Sequence, residues 1–258
     1  MTKLIITFII LFQSLPVFAE DQAFAELFAE QGVEGTIVIS SLNTEQSFIH
    51  NNFRANQRFS TASTFKILNT LIALEEKIIS GKNDVFKWDG KLYGISSWNQ
   101  DQTLESAFKV SCVWCYQVLA RQIGSIKYNR YIENTNYGKL NTPFVETTFW
   151  LDGSLKISAV EQVVFLKKVY QRSLPFNSLS YDTLSQIMLL EKTSTYSLWA
   201  KSGWATLVKP QVGWYVGYME TSSDVWFFAL NIETRNKKDL PLRHKLAYEA
   251  LKAKRIIE

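Results

Sequence analysis

Apolar positions fall into three regimes along the chain: alternating runs toward both ends, helix-spaced runs between them, and one unbroken stretch at the start. Residues 22–31 place Phe24, Leu27 and Phe28 on one helix face, because steps of three and four residues return to the same side. Gly35 to Ser41 reads as a β-branched strand, with Ser47 to His50 as its hairpin partner across Asn43-Thr44 and His50 at the strand end. Helical spacing then runs from near Ala62 to about Lys77, and resumes after Gln102 with Leu104, Ala107 and Phe108. A third helix is predicted over about 112–123, stopped by Gly124. Ser158-x-x-Glu161 is a capping box, in which each side chain satisfies a free N–H of the first turn; it opens a helix to about Gln171. Residues 181–190 predict one more short helix. Strand character returns at Ser197 to Lys201, Gly213 to Met219 and Val225 to Ile232, the last two joined by the turn-like Glu220 to Asp224. An amphipathic helix from about Pro241 aligns Leu242, Leu246, Ala250 and Leu251.

Strands at both ends and helices in the middle predict an α+β fold, with an antiparallel sheet built from both termini and a helical subdomain inserted. The expected division is residues 20–60 plus 191–258 for the sheet-bearing part and 61–190 for the mainly helical part, together one catalytic unit. The 258 residues and 47% hydrophobic content suit such a unit, and 8 Trp, 11 Tyr and 17 Phe argue for a large core and against disorder.

The opening apolar stretch reads as a secretory signal at residues 1–19. Lys3 is its positive end, Leu4 to Phe12 its apolar run, and Val17-Phe18-Ala19 its small-x-small cleavage site before Glu20. Gln13 and Ser14 interrupt the run well short of the roughly 20 residues a membrane span needs, so no anchor is expected after cleavage. A periplasmic location follows. Losing Lys3 lowers the formal charge from +4 to +3, and the lysines are scattered apart from the tail Lys252 to Arg255. That tail reads as a solvated helix face, so no nucleic-acid partner is expected. Cys112-Val-Trp-Cys115 lies in a run, Val110 to Ile123, that looks helical throughout. Residues three apart on one helix rarely meet disulfide geometry, so two thiols are expected, with a disulfide as the alternative. No metal site is expected.

The chemistry gathers in three short motifs: Ser63-Thr-Phe-Lys66, Ser111-Cys-Val113 and Lys201-Ser202-Gly203. The two histidines, His50 and His244, are far from any candidate serine, which favours a Ser-Lys over a Ser-His-Asp arrangement. If Ser63 opens a helix, Lys66 lies one turn on and on the same face. The helix end then offers N–H groups and positive partial charge to an oxyanion. A lysine near its ordinary pKa of about 10.4 is a poor base, so Lys66 must be desolvated or chemically altered. Phe65, Val113 and Leu151 are candidates for the apolar surroundings. Ser-x-x-Lys alone is weak, since Ser106-Ala-Phe-Lys109 repeats it and reads as an ordinary exposed helix pair. The ordered set is specific: Ser111 where a helix begins, and Lys201-Ser202-Gly203 ending a strand. Gly203 lets a ligand approach the backbone, and a strand edge there suits a peptide-like amide.

With those motifs the chain resembles the penicillin-recognising serine enzymes, and among them the class D (oxacillinase-type) β-lactamases. Phe-Lys-Trp-Asp-Gly at 86–90, Tyr137-Gly138, Trp150-Leu-Asp-Gly153, Gly-Trp-Tyr-Val-Gly at 213–217 and Leu240-Pro-Leu-Arg243 extend the resemblance over nearly all the expected mature chain. It implies a three-layer α/β/α subdomain beside the helical one, and hydrolysis of β-lactam antibiotics through an acyl-enzyme on Ser63, conferring resistance. It implies that Lys66 is N-carbamylated by carbon dioxide to serve as general base, that Trp150 donates its indole N–H to the carbamate, and that Val113 and Leu151 keep that site dry. Ser111 would relay a proton to the leaving nitrogen and Lys201 would set positive charge near it. The N–H groups of Ser63 and Trp204 would form the oxyanion hole. Arg243 and the Ser202 hydroxyl would bind the substrate carboxylate, beside Gly203, with Trp98 as a cleft wall or a core residue. No separate cofactor is implied, and monomer or homodimer is left open.

The chain departs from the family pattern at Lys139, where asparagine is common and the element is expected at the cleft edge, and at Ser202, where threonine is commoner. Its Ala205 to Gln211 connection carries Leu207 and Val208 without an evident cation, which leaves carbapenems open as substrates. A membrane-tethered β-lactam sensor domain and a DD-peptidase are the competing readings; turnover separates them.

Overall fold

A computed structural model of the chain describes residues 20–258; the expected signal segment lies outside them. Helix α1 (Gln22–Gln31) opens on Asp21, whose carboxylate accepts the Phe24 N–H, and stops at Gly32 in a left-handed conformation. Strands β1 (Gly35–Ser41) and β2 (Ser47–His50) form the expected hairpin. Helix α2 (Asn52–Asn56) and strand β3 (Phe59–Ser60) lead to a 3-10 turn at Ala62–Phe65 that runs directly into α3 (Lys66–Glu75). Strands β4 (Val85–Phe86) and β5 (Gln102–Thr103) make a small ribbon ahead of α4 (Leu104–Lys109), α5 (Val113–Ile123) and α6 (Ser125–Thr135). Strands β6 (Lys139–Leu140) and β7 (Leu155–Ile157) join β3 in a three-stranded sheet. Helix α7 (Ala159–Tyr170) carries the predicted capping box: the Ser158 hydroxyl accepts from Glu161 N–H, and the Glu161 carboxylate from Ser158 N–H. Helix α8 (Ser178–Met188), strands β8 (Leu189–Lys192), β9 (Tyr196–Ala205), β10 (Val212–Thr221) and β11 (Val225–Glu233), and helix α9 (Leu242–Ala253) follow.

The main sheet has the order β2-β1-β11-β10-β9-β8, and every neighbouring pair is antiparallel. An early strand and a late one are paired within it, with Ile37 opposite Leu230. Alternation along each strand sends side chains to opposite faces. Ile37, Ile39, Leu198, Met219, Phe228 and Leu230 bury against Phe24 and Phe28 of α1 and Leu246, Ala250 and Leu251 of α9. Val38, Val216, Phe227 and Ala229 belong to the opposite core, shared with α7 and the helical body. Each such side chain removed from water contributes about 1.5–3 kcal/mol. The sheet is thus sandwiched, which holds β9 rigid at the edge of the helical body.

Four details differ from the sequence reading. The helix expected over 181–190 ends at Met188, because Leu189 onward is drawn into the sheet edge as β8. Helix α6 follows Gly124 at once, where no helix was expected. Strand β9 continues to Ala205, so Lys201-Ser202-Gly203 lies within the strand rather than at its end. Cys112 and Cys115 are joined in a disulfide, with Cα atoms 5.5 Å apart, not held as thiols. Cys112 is the N-cap of α5, with extended ψ of 110°, so the pair bridges a cap and a first turn rather than two helical positions.

Candidate active site

Ser63 stands in the 3-10 turn that begins α3, and Lys66 is the first residue of the α-helix proper. Their spacing brings Lys66 Nζ within 3.2 Å of Ser63 Oγ, hydrogen-bonded. The turn is held from behind. The Trp150 carbonyl accepts from the Ala62 N–H at 2.8 Å and from the Ser60 hydroxyl at 3.2 Å. The Thr64 hydroxyl donates to the Thr61 carbonyl and accepts from the buried Gln162 amide. Ala62 takes a φ of +47°, a conformation disfavoured for any residue with a Cβ. Ser63 is 8% exposed, open only to the cleft in front of it.

Lys66 is 1% exposed. Burial pushes its amine well below the ordinary lysine range, and the charge on Lys201 pushes it further the same way. The Tyr116 ring lies 4.7 Å from Nζ, with its hydroxyl tied to Thr70. Phe65 stacks on Trp150 at 5.9 Å, so the lysine's neighbour and the tryptophan share one core. Trp150 is fully buried, and its indole Nε1 has no hydrogen-bond partner. A buried, unpaired donor of this kind costs on the order of 1–3 kcal/mol. A buried lysine pushed toward its uncharged form, in one core with an unpaired indole donor, is compatible with the carbamate that the family resemblance implies.

The second Ser-Lys pair comes from opposite sides of the cleft. Ser111 precedes α5 with a φ of +56°, and Lys201 points from β9. Lys201 Nζ donates to Ser111 Oγ at 2.6 Å and to the Ser202 carbonyl at 2.9 Å. Burial lowers its pKa to about 7, with the Arg243 guanidinium adding to the shift. Gly203 presses on the Ser63 turn: a Cβ there would sit 3.2 Å from the Ser63 nitrogen and 3.3 Å from the Thr64 nitrogen. The β9 backbone at 203–204 therefore lies beside the Ser63 N–H.

Arg243, on the first turn of α9, is 9% exposed and donates to the Gly203 carbonyl at 2.6 Å and the Leu240 carbonyl at 2.8 Å. Burial lowers its pKa to about 10. Gly213 of β10 makes room for it, since a Cβ there would come within 2.8 Å of the arginine Cδ. A cleft of about 400 Å³ joins these groups, lined by Ser63, Ser111, Val113, Leu151, Ser202, Gly203, Trp204 and Arg243. Trp98 lines it as well, its indole donating to the Val110 carbonyl at 3.0 Å, while the ring also packs against the core. The expected site residues thus converge, with Lys66 and Trp150 beneath the floor.

The chain matches the penicillin binding protein transpeptidase domain family over residues 35–252. It is 40% identical to β-lactamase OXA-48 of Klebsiella pneumoniae over 238 residues, covering 92% of this chain and 90% of that one. It is 38% identical to β-lactamase OXA-20 of Pseudomonas aeruginosa over 237 residues, covering 91% and 88%. Among solved structures, the class D β-lactamase FUS-1 (OXA-85) of Fusobacterium nucleatum subsp. polymorphum superposes with a TM-score of 0.90 at 37% identity, covering 93% of this chain and 100% of that one. The chain belongs to the class D β-lactamases.

In this class D β-lactamase, sequence reasoning missed several cleft and floor residues. Ile95, Val110 and Thr206 line the cleft without any motif to announce them. Tyr116 was findable, because it follows Val113 by one turn on the same helix face. Phe108, whose ring lies 5.5 Å from Lys201 Nζ, was seen only as a helix core residue. Lys139 is exposed on β6, which pairs with β7, and is not among the residues lining the cleft. The Ser106–Lys109 repeat is structural, as expected, with Ser106 in a cap with Thr103 and Lys109 paired to Glu105. His244 stacks on Tyr215 and lies outside the cleft lining. Among the described residues, no cluster of His, Cys, Asp and Glu is placed to hold a metal, and no helix is long and apolar enough to cross a membrane.

Proposed function

We propose that this chain hydrolyses the β-lactam ring of penicillins and related antibiotics through an acyl-enzyme on Ser63, and so confers resistance to them. The observation that carries the reading is the convergence of two Ser-Lys pairs, 3.2 Å and 2.6 Å apart, on one cleft beside a buried arginine. The Arg243 guanidinium and the Ser202 hydroxyl receive the substrate carboxylate, for which a planar fork of N–H groups is suited. That places the lactam carbonyl between the Ser63 N–H and the Trp204 N–H, which stabilise the oxyanion. Lys66, hydrogen-bonded to Ser63 Oγ, is the general base that takes the Ser63 proton as Oγ attacks. Ser111 passes a proton from Lys201 to the departing lactam nitrogen, and the Lys201 charge eases its departure.

Carbon dioxide, bound as a carbamate on Lys66 Nζ and held by the Trp150 indole N–H, would supply an anionic base where an ammonium could not act. Val113 and Leu151 shield Lys66 from bulk water while admitting the one water that releases the acyl group. We place the protein in the periplasm on the strength of residues 1–19.

The test is turnover of a chromogenic cephalosporin and a penicillin, with and without bicarbonate. Steady hydrolysis, faster with bicarbonate, is expected. One stoichiometric burst followed by no further product would instead make the protein a sensor. Release of terminal D-alanine from a peptide substrate, with no lactam turnover, would make it a peptidase.

A further inference from the structure

We propose that the Cys112–Cys115 disulfide is a positioning clamp for the acylation step, holding Ser111 and Val113 at the mouth of the Lys201 wall. The inference rests on the proton-relay role of Ser111 given above. The bridge closes a ring around Val113 and Trp114 only. Each residue in or beside that ring touches the cleft or supports it. Ser111 precedes it and receives the Lys201 hydrogen bond. Val113 lies within it and lines the cleft. Trp114 lies within it and donates its indole N–H to the carbonyl of Trp98, the cleft wall, at 3.0 Å.

The local backbone needs such a clamp. Ser111 is held at a φ of +56°, in the left-handed region a side chain avoids. Where other α-helices of this molecule have a side-chain cap it is an oxygen, from Asp21, Asn51, Thr103, Ser158 or Asn177, while α3, α6 and α9 have none. At α5 the cap is Cys112, whose sulfur receives the Cys115 N–H at 3.2 Å. Sulfur is a weak acceptor, so the covalent bond does what an oxygen cap does elsewhere. So short a ring removes little loop entropy from the unfolded chain, and the bond therefore serves local geometry more than global stability. Both sulfurs are fully buried.

Reduction by a phosphine in denaturant, followed by refolding without oxidant, removes the bond from the otherwise unaltered chain. The S–S bond breaks, both sulfurs become thiols with two protons from water, and the phosphine leaves as its oxide. Pre-steady-state acylation by a chromogenic cephalosporin is then measured on four forms. These are the native protein, the phosphine-reduced protein with its thiols counted, Cys112→Ala/Cys115→Ala, and Cys112→Ser/Cys115→Ala, in which a hydroxyl cap replaces the bond. Expected are a burst of full amplitude and a loss of about tenfold in acylation rate for the reduced and double-alanine forms. Substrate binding governed by Arg243 stays the same, and the serine-capped form recovers. A merely structural role would lower burst amplitude and leave the rate alone. Unchanged rates in both the reduced and double-alanine forms, or two free thiols in the native protein, overturn the clamp. Should the double-alanine form fail to fold, the reduced native protein decides alone. Ser111→Ala in the same assay separates the premises: if it acylates at the native rate the relay reading fails, whereas a slow Ser111→Ala beside normal cysteine variants sinks the clamp only.

Discussion

The floor and the wall of the cleft each bury a lysine, and they treat it differently. On the wall, Lys201 has two oxygen acceptors within 2.9 Å and a pKa of about 7, so its proton is held and shared. On the floor, Lys66 has one hydroxyl at 3.2 Å and an aromatic face, while the Trp150 indole donor in the same core goes unused. The wall is finished as folded, and the floor carries polar capacity that the chain itself does not satisfy. Burial lowers both lysines, but only Lys201 has more than one oxygen to share its proton with.

The largest expected effect lies at the floor. Ser63→Ala removes the attacking atom, and kcat should fall by about 10⁴ or more; a loss under tenfold in steady-state assays would break the scheme. Next comes Trp150→Phe, which keeps the ring packing and deletes only the spare donor. Deacylation should slow by about 10²-fold with a smaller effect on acylation, read from acyl-enzyme accumulation by mass spectrometry. Equal losses in both steps would mean that the floor and wall do not divide the reaction as described.

Stability sharpens the comparison from another side. The folded pKa of Lys201, about 7, lies below the ordinary value of 10.5, so the unfolded chain binds the extra proton between those values. This lysine therefore makes stability rise with pH across that window. The shift corresponds to about 4 kcal/mol at pH 7, and losing the Ser111 and Ser202 hydrogen bonds together returns about 2. Lys201→Met should thus gain about 2 kcal/mol in denaturant unfolding while losing activity, and flatten the pH slope. The smallest effect belongs to Arg243→Ala. KM should rise about tenfold, as for one lost charge-assisted contact. Because the Lys201 proton is lost above about pH 7, kcat/KM should fall as pH rises through that value. Removing the Arg243 charge raises the lysine pKa, so that limb should move to higher pH; a shift downward would contradict the wall's electrostatics.

Much of this was legible before folding. The hairpin of β1 and β2 matched its predicted bounds, because β-branched alternation and a short turn act locally. The capping box at Ser158 is likewise a three-residue device that needs no tertiary help. Helix α6 was missed although Tyr128, Tyr131, Ile132 and Thr135 form its buried face, because polar residues dominate the segment. Helix α2 is too short to show a period. The disulfide was misjudged at a single residue, Cys112, whose extended ψ no periodicity argument reveals. Site membership was readable from motifs, but the pairing of each lysine with its own serine depends on β9 meeting α5 across the chain. Such long-range packing leaves no local trace.

The pairing of β1 with β11 has a consequence for how the molecule is made. Residues 35–41 lack one of their two neighbours until residues 225–233 have been synthesised. A growing chain that already carries Ser63, Lys66 and Ser111 therefore has no finished sheet, no Lys201 and no Arg243. The cleft that joins these residues is therefore complete only when the last strands and the final helix have been made.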